Sequence, residues 1–136
     1  MKPVIQQEQT GCAIASSAAI AGITYKKAKL VANSLGIYAQ DPGLWSDSKY
    51  ICELLNKLGF NINNRKVPFK NWESLPGCAL LAIKWHMEKG KAYWHWVVYV
   101  RKNSQEYVLD SKKTLKTNAR TDFGRIKPKW YIEVNA

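Results

Sequence analysis

The chain has 136 residues, which is the size of one domain, and its 46% hydrophobic and 23% charged residues are typical of a globular protein. Six Trp, seven Tyr and three Phe exclude intrinsic disorder, and no apolar run approaches the roughly 20 residues of a membrane-spanning helix. The net charge of +11 indicates an anionic partner, such as nucleic acid, a membrane surface or an acidic polypeptide, without choosing among them.

Three short helices are predicted in the first half of the chain. Residues 12–21 are rich in Ala and are followed by Gly22, which is typical of a short buried helix. Thr24 is a favourable N-cap for a second helix over residues 25–35. Apolar residues at helical spacing predict a third helix over about 46–58.

The second half of the chain contains short apolar runs that are rich in β-branched and aromatic residues, and these runs predict strands. The predicted strands cover residues 78–85, 94–100, 107–110 and 130–134, with a polar hairpin connection at 101–106. Helices followed by antiparallel strands are the pattern of an α+β fold. Because no linker or repeat interrupts the chain, we expect a single domain over residues 1–136.

The N-terminal residues and the cysteines indicate a cytoplasmic protein with reduced thiols. The stretch from Met1 to Glu8 lacks the apolar segment of a signal peptide, although export without such a signal stays open. The three cysteines are an odd number and form no CxxC pair, and the chain has only two His. These counts argue against a structural zinc site, and we expect no metal and no cofactor.

Cys12 is the candidate nucleophile because it lies at the predicted start of the first helix, next to Thr10 and Gly11. Free backbone N–H groups and the positive end of the helix dipole favour a thiolate at that position. Gly11 would also let a substrate backbone approach closely. Cys52 and Cys78 lie within apolar runs, where a small buried side chain is the simpler interpretation.

A thiolate nucleophile needs a general base, and the chain offers His86 and His95. His86 precedes a turn-like segment, where a surface histidine is the simpler interpretation. If Asn103 and Ser104 form a two-residue turn, residues whose numbers sum to 207 pair across the hairpin. Asp110 then lies diagonally from His95 on the same face, about 7–8 Å away between backbones, whereas a three-residue loop would separate them. A carboxylate so placed fixes the imidazole tautomer, so we predict a His95–Asp110 pair.

Several aromatic and basic residues have open interpretations. Trp94 and Trp96 alternate with His95, so we expect them in the core, whereas Trp45 follows a turn that would place it at the rim of a substrate groove. The basic segment 111–129 is most simply a solvated loop. Its alternatives are a subsite for an acidic peptide or a nucleic-acid contact, in which aromatic residues at 130 and 131 would stack on bases.

The residues from Gln6 to Cys12 resemble the start of the bacteriocin-processing cysteine peptidases, which are papain-like domains that cut leader peptides after a double glycine. The family has a Gln six residues before its Cys, and Gln6 has that spacing, although Gln7 or Gln9 would serve if the loop is offset. The family then has a His that opens an apolar strand and an Asp that ends the next one. His95 and Asp110 match that order and spacing.

The resemblance implies a papain-like fold, with N-terminal helices packed on a C-terminal antiparallel sheet. It also implies a cysteine peptidase in which Cys12 is the nucleophile, His95 the general base and acid, and Asp110 the orienting residue. The Gln6 side chain and the Cys12 backbone N–H would form the oxyanion hole, and the substrate would be a peptide or protein, acidic if the basic segment binds it.

Two departures from the family keep other functions open. The family usually has Pro after its Asp, where this chain has Ser111, and the transporter segments that often accompany the family are absent from the sequence. Double-glycine specificity therefore cannot be assumed for this chain. The alternatives are a papain-like deamidase or amide transferase, and an inactive basic module that binds nucleic acid or an acidic protein.

Overall fold

A computed structural model describes residues 1–135 of the protein, and Ala136, the last residue of the predicted domain, lies outside them. The predicted α+β class is confirmed, with three helices and one six-stranded antiparallel sheet. The helices are α1 (Cys12–Ala21), α2 (Tyr25–Ser34) and α3 (Lys49–Lys57). The strands are β1 (Val67–Pro68), β2 (Cys78–Glu88), β3 (Lys91–Lys102), β4 (Gln105–Leu109), β5 (Ala119–Arg120) and β6 (Trp130–Glu133), in the order β1-β6-β2-β3-β4-β5.

Helices α1 and α2 follow the predicted signals. Gly22 has a left-handed φ of 70° and ends α1, and the Thr24 side chain accepts a hydrogen bond from the Lys27 backbone N–H at 3.1 Å. The helices have ten, ten and nine residues, and no helix in the described part of the chain is long and apolar enough to cross a membrane.

The predicted start of the third helix near residue 46 is wrong. Residues Pro42–Trp45 instead form a separate 3-10 helix, and α3 begins at Lys49. Asp41 causes this early turn, since its side chain accepts a hydrogen bond from the Gly43 backbone N–H at 2.8 Å and Pro42 follows with its fixed φ. The extra turn carries Trp45 to the mouth of the cleft described below.

The β3–β4 hairpin has the predicted register. Asn103 and Ser104 have φ values of 53° and 65°, which are those of a two-residue turn that follows the twist of the strands. Lys102 pairs with Gln105, and the pairing continues to Val98 and Leu109. This register places Asp110 just beyond the end of β4, on the side where His95 lies.

The β2–β3 hairpin is longer than predicted and contains a bulge. The two strands pair regularly from Cys78–Val100 to Ile83–His95, and the register then shifts before His86. Lys84 lies in the bulge with a left-handed φ of 54°, which is uncommon for a residue other than Gly.

The sheet is covered on both faces. One face packs against the three helices through the larger apolar cluster, whose buried aromatic residues include Trp94, Trp96 and Trp130. The other face is covered by loop residues such as Trp72 and Phe123, which pack on a smaller cluster. The prediction that Trp94 and Trp96 belong to the core is therefore confirmed.

Replacing Ser104 with Gly is expected to raise the free energy of unfolding by about 0.5–1 kcal/mol, because Gly adopts a positive φ without the steric cost that Ser has. Urea unfolding measures this difference. Ser104→Ala retains the cost and serves as the control, so an equal gain in both variants would contradict the turn assignment.

Candidate active site

Cys12 is the first residue of α1 and is fully buried, at 0% exposure. Gly11 precedes it as the N-cap, no side chain caps the helix, and the first turn contains no acidic residue. The free N–H groups and the positive end of the helix dipole therefore lie beside the Cys12 sulfur without a competing anion from that turn.

Gly11 has a different role from the predicted one. A Cβ at this position would lie 2.2 Å from the Tyr25 hydroxyl, so the space beside Gly11 is filled by the protein itself rather than left for a substrate. The Tyr25 hydroxyl donates a hydrogen bond to Glu8, which also forms a salt bridge with Lys29. This network ties the segment before Cys12 to α2.

His95 connects the cysteine to a buried carboxylate. Its Nε2 lies 2.7 Å from Asp110 Oδ1, and Cys12 is close enough to the ring to raise the pKa of His95. Because Nε2 faces the carboxylate, the other ring nitrogen, Nδ1, is left for the sulfur. The predicted His95–Asp110 pair is thus present, and the structure brings it together with Cys12.

Asp110 is held by more partners than the sequence analysis named. Its side chain is 1% exposed, and its Oδ2 accepts a hydrogen bond from Arg120 Nη1 at 3.0 Å. Its Oδ1 also accepts from the Lys112 backbone N–H at 3.2 Å. Arg120 belongs to the basic segment for which a solvated loop was the simplest interpretation, yet it is half-buried and contacts the site, with Asp122 holding the rest of its guanidinium.

These contacts shift both pKa values of the pair. Burial by itself would lower the pKa of His95, but hydrogen bonds and charges from Asp110 and Cys12 raise it to about 9. Burial opposes ionisation of Asp110 as well, yet His95, the Lys112 backbone N–H and Arg120 hold the pKa of this carboxyl below its usual range. At neutral pH the pair is therefore an imidazolium and a carboxylate.

Gln6 is buried beside the end of β4. Its backbone N–H donates to the Ser111 carbonyl at 3.0 Å, and its side-chain Oε1 accepts from Ser111 Oγ at 2.7 Å. Its Nε2 donates to the backbone carbonyls of Glu8 and Gln9, so both N–H groups hold the loop before Cys12. Gln7 and Gln9, the alternatives to Gln6, are exposed. Pro at position 111 could not supply the hydroxyl that Ser111 gives Gln6.

A cleft of about 550 Å³ lies against this group of residues. Its lining includes His95, the loop from Gln6 to Gln9, and the aromatic rings of Trp45 and Trp94, so Trp45 is at the groove as predicted. Its other lining residues are Lys84, His86, Tyr93, Lys112, Lys113 and Thr114. Cys12 itself does not line the cleft.

The simpler interpretations of the remaining histidine and cysteines agree with the structure. His86 is exposed and stacks on Tyr93 at the cleft edge. Burial raises the pKa of both Cys52 and Cys78 to about 11, with the charge of Asp47 adding to the effect at Cys52. The proposed stacking of a base on residue 130 is wrong, because that Trp ring is packed in the core.

Comparison of the chain with protein-family models, with curated proteins and with solved structures found no match. The function is therefore inferred from the residues of the site and from the resemblance in their order. Three residues carry this inference, namely Cys12, His95 and Asp110.

Gly11→Ala is expected to lower the free energy of unfolding by about 1–3 kcal/mol, because the added Cβ overlaps the Tyr25 hydroxyl. Tyr25→Phe removes that hydroxyl, so Gly11→Ala is expected to cost less free energy of unfolding in the Tyr25→Phe background. Urea unfolding of the two single variants and the double variant measures this difference. Gly124→Ala is the control, since a Cβ there meets nothing within 4 Å. Equal costs at Gly11 in both backgrounds would contradict the contact.

His95 is expected to titrate near pH 9 by NMR, and Asp110→Asn is expected to lower its pKa. Since the folded-state pKa lies above the ordinary value of 6.5, the stabilisation is complete below about pH 6.5 and is lost as the pH rises through about 9. Unfolding of the wild type and the variant at both ends of this range measures the loss. Asp122→Asn, which removes a carboxylate that does not contact His95, is the control.

Proposed function

We propose that the protein is a cysteine peptidase with a papain-like fold, which cleaves a peptide or amide bond through Cys12, His95 and Asp110. The observation that carries the proposal is the His95 imidazole, which is hydrogen-bonded to a buried carboxylate and lies beside a cysteine at a helix start. The order of these residues along the chain, with helices before an antiparallel sheet, supports the resemblance to the bacteriocin-processing peptidases.

In the first step, the Cys12 thiolate attacks the substrate carbonyl carbon, a C–S bond forms, and the carbonyl oxygen becomes an oxyanion. The backbone N–H of Cys12 is one donor to this oxygen. The Gln6 Nε2 becomes the second donor when it releases one of its two loop carbonyls. A donor of this kind is worth about 3–4 kcal/mol in comparable sites.

In the second step, the tetrahedral intermediate collapses and the C–N bond breaks. The His95 imidazolium gives its proton to the departing amine, and a thioester remains on Cys12. Water then attacks the thioester while His95 takes the water's proton, and the C–S bond breaks to release the acid and restore the thiolate. Asp110 keeps the imidazole oriented and stabilises its charge throughout.

Access to Cys12 requires a local opening, because the residue is fully buried and lies outside the cleft lining. The loop from Gln6 to Gln9 lines the cleft and directly precedes Cys12, so we place the opening there. The hydrogen bonds that close this loop are the same Gln6 bonds that the oxyanion replaces. Substrate binding and oxyanion-hole formation are thereby coupled.

Iodoacetamide is expected to label Cys12 faster than the other two cysteines near pH 6, as measured by peptide mass spectrometry. Exposure alone predicts the opposite order, since Cys78 is partly exposed and Cys12 is not. Only a thiolate stabilised by His95 and the helix start overcomes this disadvantage, because an ordinary thiol is protonated at that pH.

His95→Ala is expected to abolish the rapid labelling of Cys12, and Asp110→Asn to slow it. His86→Ala is the matched control, because that histidine lines the cleft without contacting Asp110. Labelling of Cys78 before Cys12, unchanged by His95→Ala, would contradict the proposed function and favour an inactive basic module.

Product masses distinguish the reactions that the same three residues can catalyse. Peptide mixtures incubated with the wild type are expected to yield shorter peptides, and the Cys12→Ala variant is expected to yield none. Conversion of Gln side chains without chain cleavage would instead assign a deamidase, and the appearance of joined peptides would assign an amide transferase.

A further inference from the structure

One wall of the cleft is cationic, although the nearby charge of Asp110 opposes the lowering of the Lys84 pKa. Lys84, Lys112 and Lys113 line it beside the catalytic group, and none of them forms a salt bridge with a carboxylate among residues 1–135. Glu8 is the only acidic residue in the cleft lining, and it is already paired with Lys29. The cleft therefore has an excess of positive charge.

Lys84 reaches this wall through the bulge in β2. The register with β3 breaks between Ile83 and His86, and Lys84 adopts a left-handed φ of 54°. This backbone conformation is unfavourable for a residue other than Gly, and it persists where the surrounding structure holds it. Bulges commonly redirect a side chain next to a functional site. Here the bulge places the lysine in the cleft.

Lys84 and Lys112 both line the cleft. Partial burial lowers the pKa of Lys84, and the neighbouring charge of Lys112 lowers it further. Two neighbouring ammonium groups repel each other, and an anion between them offsets the repulsion. A carboxylate is such an anion, since it accepts charge-assisted hydrogen bonds from both groups at once. We call these two residues the lysine pair.

We propose that the lysine pair binds the side-chain carboxylate of an Asp or Glu close to the scissile bond of the peptide substrate. This inference rests on the proposed peptidase function. Lys112 fixes the distance to the reacting group, because its own backbone N–H is bonded to Asp110, the partner of His95. A carboxylate on the pair thus lies within a few residues of the bond that Cys12 attacks.

A second concavity continues the basic surface beyond the pair. Lys84 also lines this space of about 470 Å³, together with Arg125, Lys127 and Lys129, and with Arg120, whose charge is already paired with Asp110 and Asp122. A substrate that leaves the cleft past Lys84 meets these cations, so further acidic residues on the same side of the cut would also be bound.

An acidic peptide fits this surface better than nucleic acid does. Lys129 Nζ lies 4.7 Å from the ring centroid of Trp85, so one face of the only aromatic ring in the second concavity is occupied. Trp130 is buried in the core. Single-stranded nucleic acid is usually held by stacking on open aromatic rings, and the second concavity offers only the other face of Trp85 for this.

The test uses the Cys12→Ala protein, so that binding is measured without turnover. Two pools of C-terminally amidated peptides of equal length are compared on immobilised protein, one containing Asp and Glu and the other with Asn and Gln in their place. Bound peptides are identified by mass spectrometry. We expect at least a tenfold enrichment of peptides from the acidic pool.

The variants Lys84→Met and Lys112→Met are each expected to reduce this enrichment, and the double variant to abolish it. Lys57→Met is the matched control, because it removes the same charge from an exposed position on α3 and is expected to keep the enrichment. Lys112→Glu is expected to reverse the preference towards Lys- and Arg-containing peptides, which a merely structural role would not produce. Thermal unfolding checks that each variant is folded.

Three results would overturn the inference: no enrichment of acidic peptides, an enrichment that the double variant retains, or a single-stranded oligonucleotide that binds through the lysine pair more tightly than any acidic peptide. Its failure is distinguishable from failure of the peptidase proposal. Normal labelling of Cys12 without acidic preference rejects the lysine-pair site alone. Slow labelling of Cys12 with pair-dependent binding of acidic peptides rejects the peptidase alone.

Discussion

The buried carboxylate of Asp110 is the interaction on which the candidate site depends. A carboxylate that is almost fully removed from water must be matched by hydrogen bonds and opposite charge, or it is strongly destabilising. His95, Arg120 and a backbone N–H supply that match here. The same set of contacts that makes the charge tolerable also fixes the imidazole against Cys12, so stability and catalytic geometry have a common origin.

Two short segments of the chain place the Asp110 carboxylate next to the helices. The tight β3–β4 turn sets the register that carries Asp110 to the side of His95, and Gln6 joins the strand end to the loop before α1 through Ser111. The three candidate catalytic residues come from a helix start, a strand and a strand end, which are positions that backbone hydrogen bonds hold in place. A site built this way needs few side chains of its own for support.

The parts of the fold and site that the sequence predicted are those set by local signals. Gly22 and Thr24 marked helix ends, and apolar runs rich in β-branched and aromatic residues marked the strands. The Asn103–Ser104 turn led to the His95–Asp110 pair. The sequence did not predict the role of Arg120, because its contact with Asp110 exists only once residues 111–118 fold back along β4.

The features that the sequence did not predict are not indicated by any short sequence pattern. The bulge at Lys84 involves neither Gly nor Pro and arises where two strands of a long hairpin lose register. The space beside Gly11 is filled by Tyr25, which is fourteen positions away along the chain and belongs to another helix. Burial of Cys12 is likewise a result of packing among elements, and helix-start chemistry alone does not reveal it.

The complete burial of Cys12 has a consequence for how long the protein retains its thiol. Oxidation of a cysteine to sulfenic and higher acids follows both thiolate character and accessibility, and the structure separates the two. On the proposed mechanism, a peroxide molecule reaches the sulfur only through the opening that admits a substrate. Movement of the segment before α1 would then govern turnover and oxidative damage together, and a chain that opened more readily would gain reactivity but lose its thiol sooner.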